Sequence, residues 1–230
     1  MSSRTCVILP ALNEADALGD ALQGRPDHVR VVVVDNGSTD GTADVARRLG
    51  VEVVKESRRG FGYACQAGLD AAGDAHVVVF MDADATCDWA DLDALTSPIL
   101  DGSADLVLGR RVKALREPGA MPLHVGLANM FLGRMCGRLS GLAVHDIPPY
   151  RAARRSSLVD LALKDRTYGW PVEMVLKAGR SGLAVTEVPV RYRTRVGTSK
   201  VTGTVGGTLK ATARMARVLV AHAWTARAVA

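Results

Sequence analysis

Aromatic side chains are scarce in this 230-residue chain, at 4% of the total. So few rings exclude a stacking platform for single-stranded nucleic acid. The four cysteines, Cys6, Cys65, Cys87 and Cys136, lie far apart and form no Cys-x-x-Cys pair. A disulfide scaffold is therefore excluded, and buried free thiols in a reducing compartment are expected. Long apolar runs are missing too. The longest charge-free stretch, Pro118 to Gly133, has 16 residues with two prolines and a histidine, short of a membrane span. The apolar run at Cys6 is too short for a signal peptide, so the expected location is cytoplasmic, free or peripheral on the membrane face. No Gly-x-Gly-x-x-Gly follows the first strand pattern and no Gly-x-x-x-x-Gly-Lys-Ser/Thr occurs, which removes the dinucleotide and P-loop sites. Repeats and Pro/Ser linkers are absent, so the chain reads as one domain. With 48% apolar and 23% charged residues, disorder is excluded as well.

What is present is an uneven charge. The formal net charge of +5 divides into −8 over residues 1–100 and +13 over residues 101–230. Such a split suits an acidic half built around a metal or nucleotide and a basic half facing phosphate or an anionic surface. Frequent arginine alone would give the same count without any function.

The first hundred residues alternate strand and helix patterns. Residues 6–9, 29–34, 51–56 and 76–82 read as strands, and the second and fourth are nearly all apolar, as in strands covered on both faces. Helical patterns lie between them, at 11–22, 43–50 and 62–72. This order predicts an α/β fold with a mostly parallel central sheet flanked by helices, and ligands bound beyond the strands' carboxyl ends. Further on, 105–109 and 183–192 read as strands, and 118–142 and 170–181 as helices. Residues 204–230 hold a basic amphipathic helix, with Lys210, Arg214 and Arg217 on one side and Leu209, Ala213, Ala216, Val220 and Trp224 on the other. That face suits an anionic bilayer, the domain itself or a second copy in a homodimer.

Each strand end carries polar residues. Asp82-Ala83-Asp84 puts two carboxylates where a buried strand leaves the sheet, able to converge on one hard cation that bridges phosphate oxygens. Asp35-Asn36-Gly37-Ser38 ends the other valine-rich strand. Asp35 can accept from a base or ribose there, while Gly37 permits close approach. Arg58-Arg59-Gly60-Phe61-Gly62 combines guanidiniums and glycines at a helix start, a phosphate cradle in which Arg59 and Gly62 are candidates. Arg110-Arg111 follows another strand and suits the same work. His145-Asp146 beside Pro148-Pro149 offers a base or an Asx-turn. Arg191, Arg193 and Arg195 alternate ahead of Gly197-Thr198-Ser199-Lys200, as an anion site or as charges protecting an edge strand.

Taken together, these segments resemble family 2 glycosyltransferases of the GT-A fold, and within them the polyprenyl-phosphate glycosyltransferases. The matching segments are 8–14 (ILPALNE), 32–42 (VVVDNGSTDGT), 59–69 (RGFGYACQAGL), 81–86 (MDADAT), 145–154 (HDIPPYRAAR), 168–178 (YGWPVEMVLKA) and 187–200 (EVPVRYRTRVGTSK). The resemblance implies one GT-A domain over 1–203, with a nucleotide-sugar half (1–100) and an acceptor half (101–203). It implies that Pro10, Leu12, Glu14 and Asp35 meet the nucleotide, and that Asp82 and Asp84 form the DxD pair. Asp84 would be the direct ligand of Mg²⁺ or Mn²⁺. Arg193, Arg195, Ser199 and Lys200 would meet the acceptor phosphate near the membrane. The chain departs from those relatives at Asn36, where they usually carry Asp, at Thr86-Cys87, and at Pro148-Pro149.

The implied reaction is an inverting transfer of a hexosyl group from a UDP- or GDP-sugar to a polyprenyl phosphate, or otherwise to a small soluble acceptor. A phosphate acceptor is already anionic and needs no strong base. A hydroxyl acceptor would require one, from Asp146 or His145. Rival classes are a sugar-phosphate nucleotidyltransferase, whose Gly-rich loop after the first strand is missing here, and a non-catalytic nucleotide-sugar binder. No nucleic-acid partner is expected.

Overall fold

The computed structural model describes residues 4–197 and 212–221. Its centre is a sheet of seven strands: β1 (Thr5–Ala11), β2 (Arg30–Asp35), β3 (Glu52–Lys55), β4 (Val77–Phe80), β5 (Leu106–Arg110), β6 (Arg151–Arg154) and β7 (Val185–Pro189). Their order is β3-β2-β1-β4-β6-β5-β7, and only β6 runs antiparallel to its neighbours. The mostly parallel α/β expectation therefore holds.

Strand side chains alternate between two apolar layers. Ile8, Val32, Val34, Val78 and Phe80 face α3 (Phe61–Ala71), α5 (Leu123–Ser140) and α7 (Trp170–Arg180). Leu9, Val31, Val33, Val77 and Val79 face α1 (Leu18–Leu22), α2 (Thr42–Arg48) and α4 (Leu92–Leu100). Burial on both faces is why β2 and β4 are valine runs without polar alternation. Gly68 of α3 lies so close to Ile8 that any side chain there would collide with it. All four cysteines are free and buried, and burial pushes the Cys6 thiol up to about 11.

The structure differs from the sequence pattern, or adds to it, in three places. Residues 12–17 are not helical, and the helix is confined to α1. Asn13 takes a left-handed φ of 54°, and the Asn13, Glu14 and Ala15 amides donate to Ser38 Oγ (2.9 Å), Thr42 Oγ1 (2.9 Å) and Asp40 Oδ2 (3.0 Å). Side-chain acceptors on the next loop replace helical carbonyls. Strand β6 and the short helix α6 (Arg155–Asp160) that continues it had no sequence counterpart. Residues 212–221 are helical, forming α8, and of the occupants expected for it the helix meets the domain itself, through Leu219, Met215 and Val218 rather than through Ala213 and Val220, which are exposed. Leu209, Lys210 and Trp224, like the division expected at 203/204, lie outside the described residues.

Candidate active site

Strand order reverses between β1 and β4, since β2 and β3 extend to one side and β6, β5 and β7 to the other. Beyond the carboxyl ends of these two strands lies a cavity of about 460 Å³, where an open α/β sheet places its ligands. Pro10, Leu12, Glu14 and Asn36 line one side of it, and Asp82, Asp84 and Thr86 line it from the end of β4. The second half of the chain contributes Arg111, Arg151, Tyr168, Tyr192 and Arg195.

Asp84 is buried and oriented from two directions. Its Oδ1 accepts from the Thr86 hydroxyl (2.7 Å) and amide (3.2 Å), and its Oδ2 meets Arg195 Nη1 at 3.2 Å. Arg195 also pairs with Glu14, so one guanidinium joins the loops after β1 and β4. Backbone bonds hold this arrangement, from Arg193 N to Thr86 O (2.9 Å) and from Val196 N to Asp84 O (3.2 Å). Asp82 differs: among the described residues nothing donates a hydrogen bond to its carboxylate. Burial first, then the Asp84 charge, pushes Asp82 up to about 7, against the pull of Arg151, Arg195 and Arg111.

Two hard carboxylates lining an open cavity, one without a hydrogen-bonding partner among the described residues, fit Mg²⁺ or Mn²⁺. Among the described residues no group of three or more His, Cys, Asp or Glu converges, so remaining ligands would come from substrate or water.

Other candidates take different places. Asp35 is buried and accepts from Ser38 N (2.9 Å), and it does not line the cavity. Gly37, at a left-handed φ of 80°, has its carbonyl held by Arg59 Nη2 (3.1 Å). Arg59 and Gly62 form no cradle. A side chain at Gly60 or Gly62 would strike the backbone of 165–166, whose Arg166 carbonyl accepts from Tyr63 N (3.3 Å) and covers the start of α3. Arg110 is turned toward Glu187 (3.9 Å), away from the cavity. Lys200 and Ser199 lie outside the described residues.

The base expectation for Asp146 meets an ion pair. Arg111 Nη2 and Nε hold its two oxygens at 2.7 and 2.8 Å, and Arg111 N adds a bond of 3.2 Å. Burial would raise this carboxyl, but the Arg111 charge and these bonds outweigh it and keep Asp146 below the ordinary carboxylate range. His145 is half exposed and bonds Glu187 Oε2 through Nδ1 at 2.8 Å.

The arginine series divides as well. Arg191 pairs with Asp91 (2.6 Å) and Arg193 with Asp88 (2.7 Å), as Arg195 does with Glu14 and Asp84. The charge gradient thus serves in part to join the two halves of the chain. Sequence reasoning missed Asn36, Thr86 and Arg151 as cavity residues. Asn36 was visible as a departure from the usual Asp, and Arg151 stood inside the matching segment 145–154, although no site role was read for it there.

A mixed sheet with a cleft at its switch point and an acidic pair on the cleft floor has the architecture of a GT-A glycosyltransferase. The chain belongs to glycosyl transferase family 2, whose model matches residues 6–161. It is 44% identical over 206 residues to an uncharacterized glycosyltransferase of Mycobacterium bovis, covering 88% of this chain and 92% of that one. It is 33% identical over 224 residues to the polyprenol monophosphomannose synthase of Mycolicibacterium smegmatis, covering 88% and 82%. Its fold is similar to glucosyl-3-phosphoglycerate synthase of Mycobacterium tuberculosis, crystallised with Mn²⁺, UDP and glucosyl-3-phosphoglycerate (TM-score 0.74, 23% identity, covering 95% and 79%). The protein is a glycosyltransferase.

Proposed function

We propose that this enzyme moves a hexosyl group from a nucleotide sugar to a polyprenyl phosphate, with inversion at the anomeric carbon. The loop after β1 (Pro10, Leu12, Glu14) and Asn36 would receive the nucleotide. Asp82 and Asp84 would hold Mg²⁺ or Mn²⁺, which when bound supplies positive charge to the donor diphosphate. Arg195, fixed by Glu14 and Asp84, keeps Asp84 in one orientation and adds a cation facing the departing diphosphate.

The observation that carries the acceptor reading is the Arg111–Asp146 pair. The best base candidate from the sequence is enclosed and held ionised by its partner, which leaves it a poor proton acceptor. Chemistry without a base suits an acceptor that arrives as an anion, and a phosphate monoester does so at neutral pH. The relative named as a polyprenol monophosphomannose synthase supports the same class.

A surface feature supports the lipid form. Leu123, Leu127, Met130 and Phe131 stand exposed on one face of α5, followed on that face by Arg134 and Arg138. Val125 and Asn129 line the cavity from the opposite face of the same helix, which leaves the apolar stripe outward. No helix among the described residues is long and apolar enough to cross a membrane. This stripe, with arginines behind it, suits peripheral contact with an anionic bilayer.

The test is label partitioning. Purified protein, Mg²⁺ or Mn²⁺ and each labelled UDP- or GDP-sugar are mixed with polyprenyl phosphate in detergent, and label is followed into the organic phase. Metal-dependent transfer that is lost in Asp84→Ala supports the reading. Transfer only to water-soluble acceptors replaces the lipid with a small molecule.

A further inference from the structure

Three arginines, Arg111, Arg151 and Arg195, act electrostatically on Asp82 at the cavity floor. Two of them have carboxylate partners: Arg111 holds Asp146, and Arg195 holds Glu14 and Asp84. Arg151 has none. It begins β6, opposite Phe80 and Leu108 in register, and is 2% exposed. Among the described residues its Nε has no hydrogen-bond partner and no carboxylate lies within ion-pairing distance of its guanidinium. Its guanidinium lies over the Phe61 and Trp170 rings, at 5.9 and 5.8 Å from their centroids.

A buried guanidinium without an anion is costly to folding. Its retention at the wall of a ligand cavity is explained if an anion arrives with the ligand. Donor and acceptor make different demands here. A donor diphosphate would share the divalent cation of Asp82 and Asp84. An acceptor phosphate would bring its own negative charge into the same cavity, which the Asp82 carboxylate also lines, and it needs a cation of its own. Arg151 lies in the second half of the chain, across Asp82 from the Pro10–Glu14 loop. A planar fork packed against two rings is suited to meet two oxygens of one phosphate.

We infer that Arg151 is the binding residue for the phosphate monoester of the acceptor, a role that rests on the phosphate-acceptor reading above. It predicts that the site prefers a dianionic monoester to the corresponding alcohol, whatever chain the phosphate carries.

The experiment compares the full chain with Arg151→Met by calorimetry. Farnesyl phosphate and glycerol 3-phosphate are the phosphate probes, farnesol is the neutral control, and UDP or GDP with Mn²⁺ reports the donor side. Methionine fills similar volume without charge. The inference requires phosphate binding at least about tenfold weaker, since a charge-assisted fork is lost. It also requires nucleotide binding within about twofold and a Tm no lower than wild type, because an unpaired buried charge has been removed. Farnesyl phosphate alone responding means a lipid acceptor, and both probes responding means recognition of the headgroup. Unchanged phosphate binding, or weakened nucleotide binding instead, overturns the assignment. Should the Met variant not fold, Arg151→Lys replaces it: weaker phosphate binding beside intact nucleotide binding supports the role, and wild-type phosphate binding overturns it. Arg151-dependent phosphate binding without label transfer to any phosphate refutes the proposed reaction but not this site. Transfer with an unaltered acceptor KM in the variant does the reverse.

Discussion

Arg111 grips both oxygens of Asp146, at 2.7 and 2.8 Å, in a site where each side chain is about nine-tenths buried. Removing one member of such a pair leaves a buried charge uncompensated. Asp146→Ala is therefore expected to cost about 3–5 kcal/mol of stability, measurable by urea unfolding. The folded carboxyl titrates below its unfolded value of about 3.9. Its contribution is complete above that pH and is lost as pH falls through the folded pKa. The stability difference between wild type and Asp146→Asn should accordingly be flat from neutrality to mild acid and shrink below about pH 4. A kcat loss of a hundredfold or more in well-folded Asp146→Asn would restore the base role.

Asp82 has the opposite sign. Its folded pKa of about 7 lies above the unfolded value, so stability is complete in acid and is lost as pH rises through 7. In metal-free protein, Asp82→Asn should raise Tm at pH 8 and leave it nearly unchanged at pH 4. Mn²⁺ should stabilise wild type more at pH 8 than at pH 6, because binding at low pH must displace a proton. The same variant should lower kcat by at least about a hundredfold. Equal Mn²⁺ shifts in wild type and Asp82→Asn would move the metal elsewhere.

Legibility differed from element to element for physical reasons. Strands β2 and β4 could be read because burial on both faces leaves an unbroken valine run. The Asp82–Asp84 pair was visible because it closes one of those runs. Strand β6 was hidden, since two alanines between arginines carry no period, and its place comes from antiparallel pairing with β4 and β5. The loop after β1 has a helical pattern, yet Ser38, Asp40 and Thr42 capture its amides. Arg191 and Arg193 read as an anion site because their acceptors, Asp91 and Asp88, stand 100 and 105 positions away.

Asn36 explains one departure from the related transferases. Its amide nitrogen donates to the carbonyls of Glu56 (3.1 Å) and Arg58 (2.8 Å), and its oxygen accepts from Gly60 N (2.8 Å). An ionised Asp can accept but not donate, and it would set a negative oxygen against two carbonyls. Asn36→Asp should cost about 1–3 kcal/mol and increase amide exchange in residues 56–60. Unchanged exchange there would remove this staple from the account of the loop.

The exposed stripe on α5 separates membrane contact from catalysis. Leu127 and Phe131 are 61% and 56% exposed, so replacing both with Asp should leave Tm and nucleotide binding unchanged. Wild type should sediment with anionic phospholipid vesicles, and rising salt should weaken that binding by screening Arg134 and Arg138. The double variant should remain in the supernatant. Its transfer to polyprenyl phosphate embedded in those vesicles should fall by about tenfold or more, since two apolar anchors are lost. Its transfer to a short, water-soluble prenyl phosphate should match wild type, because neither side chain lines the cavity. Equal sedimentation of the two proteins would mean that α5 does not face the bilayer, and equal loss with both acceptors would place these side chains in the acceptor site itself.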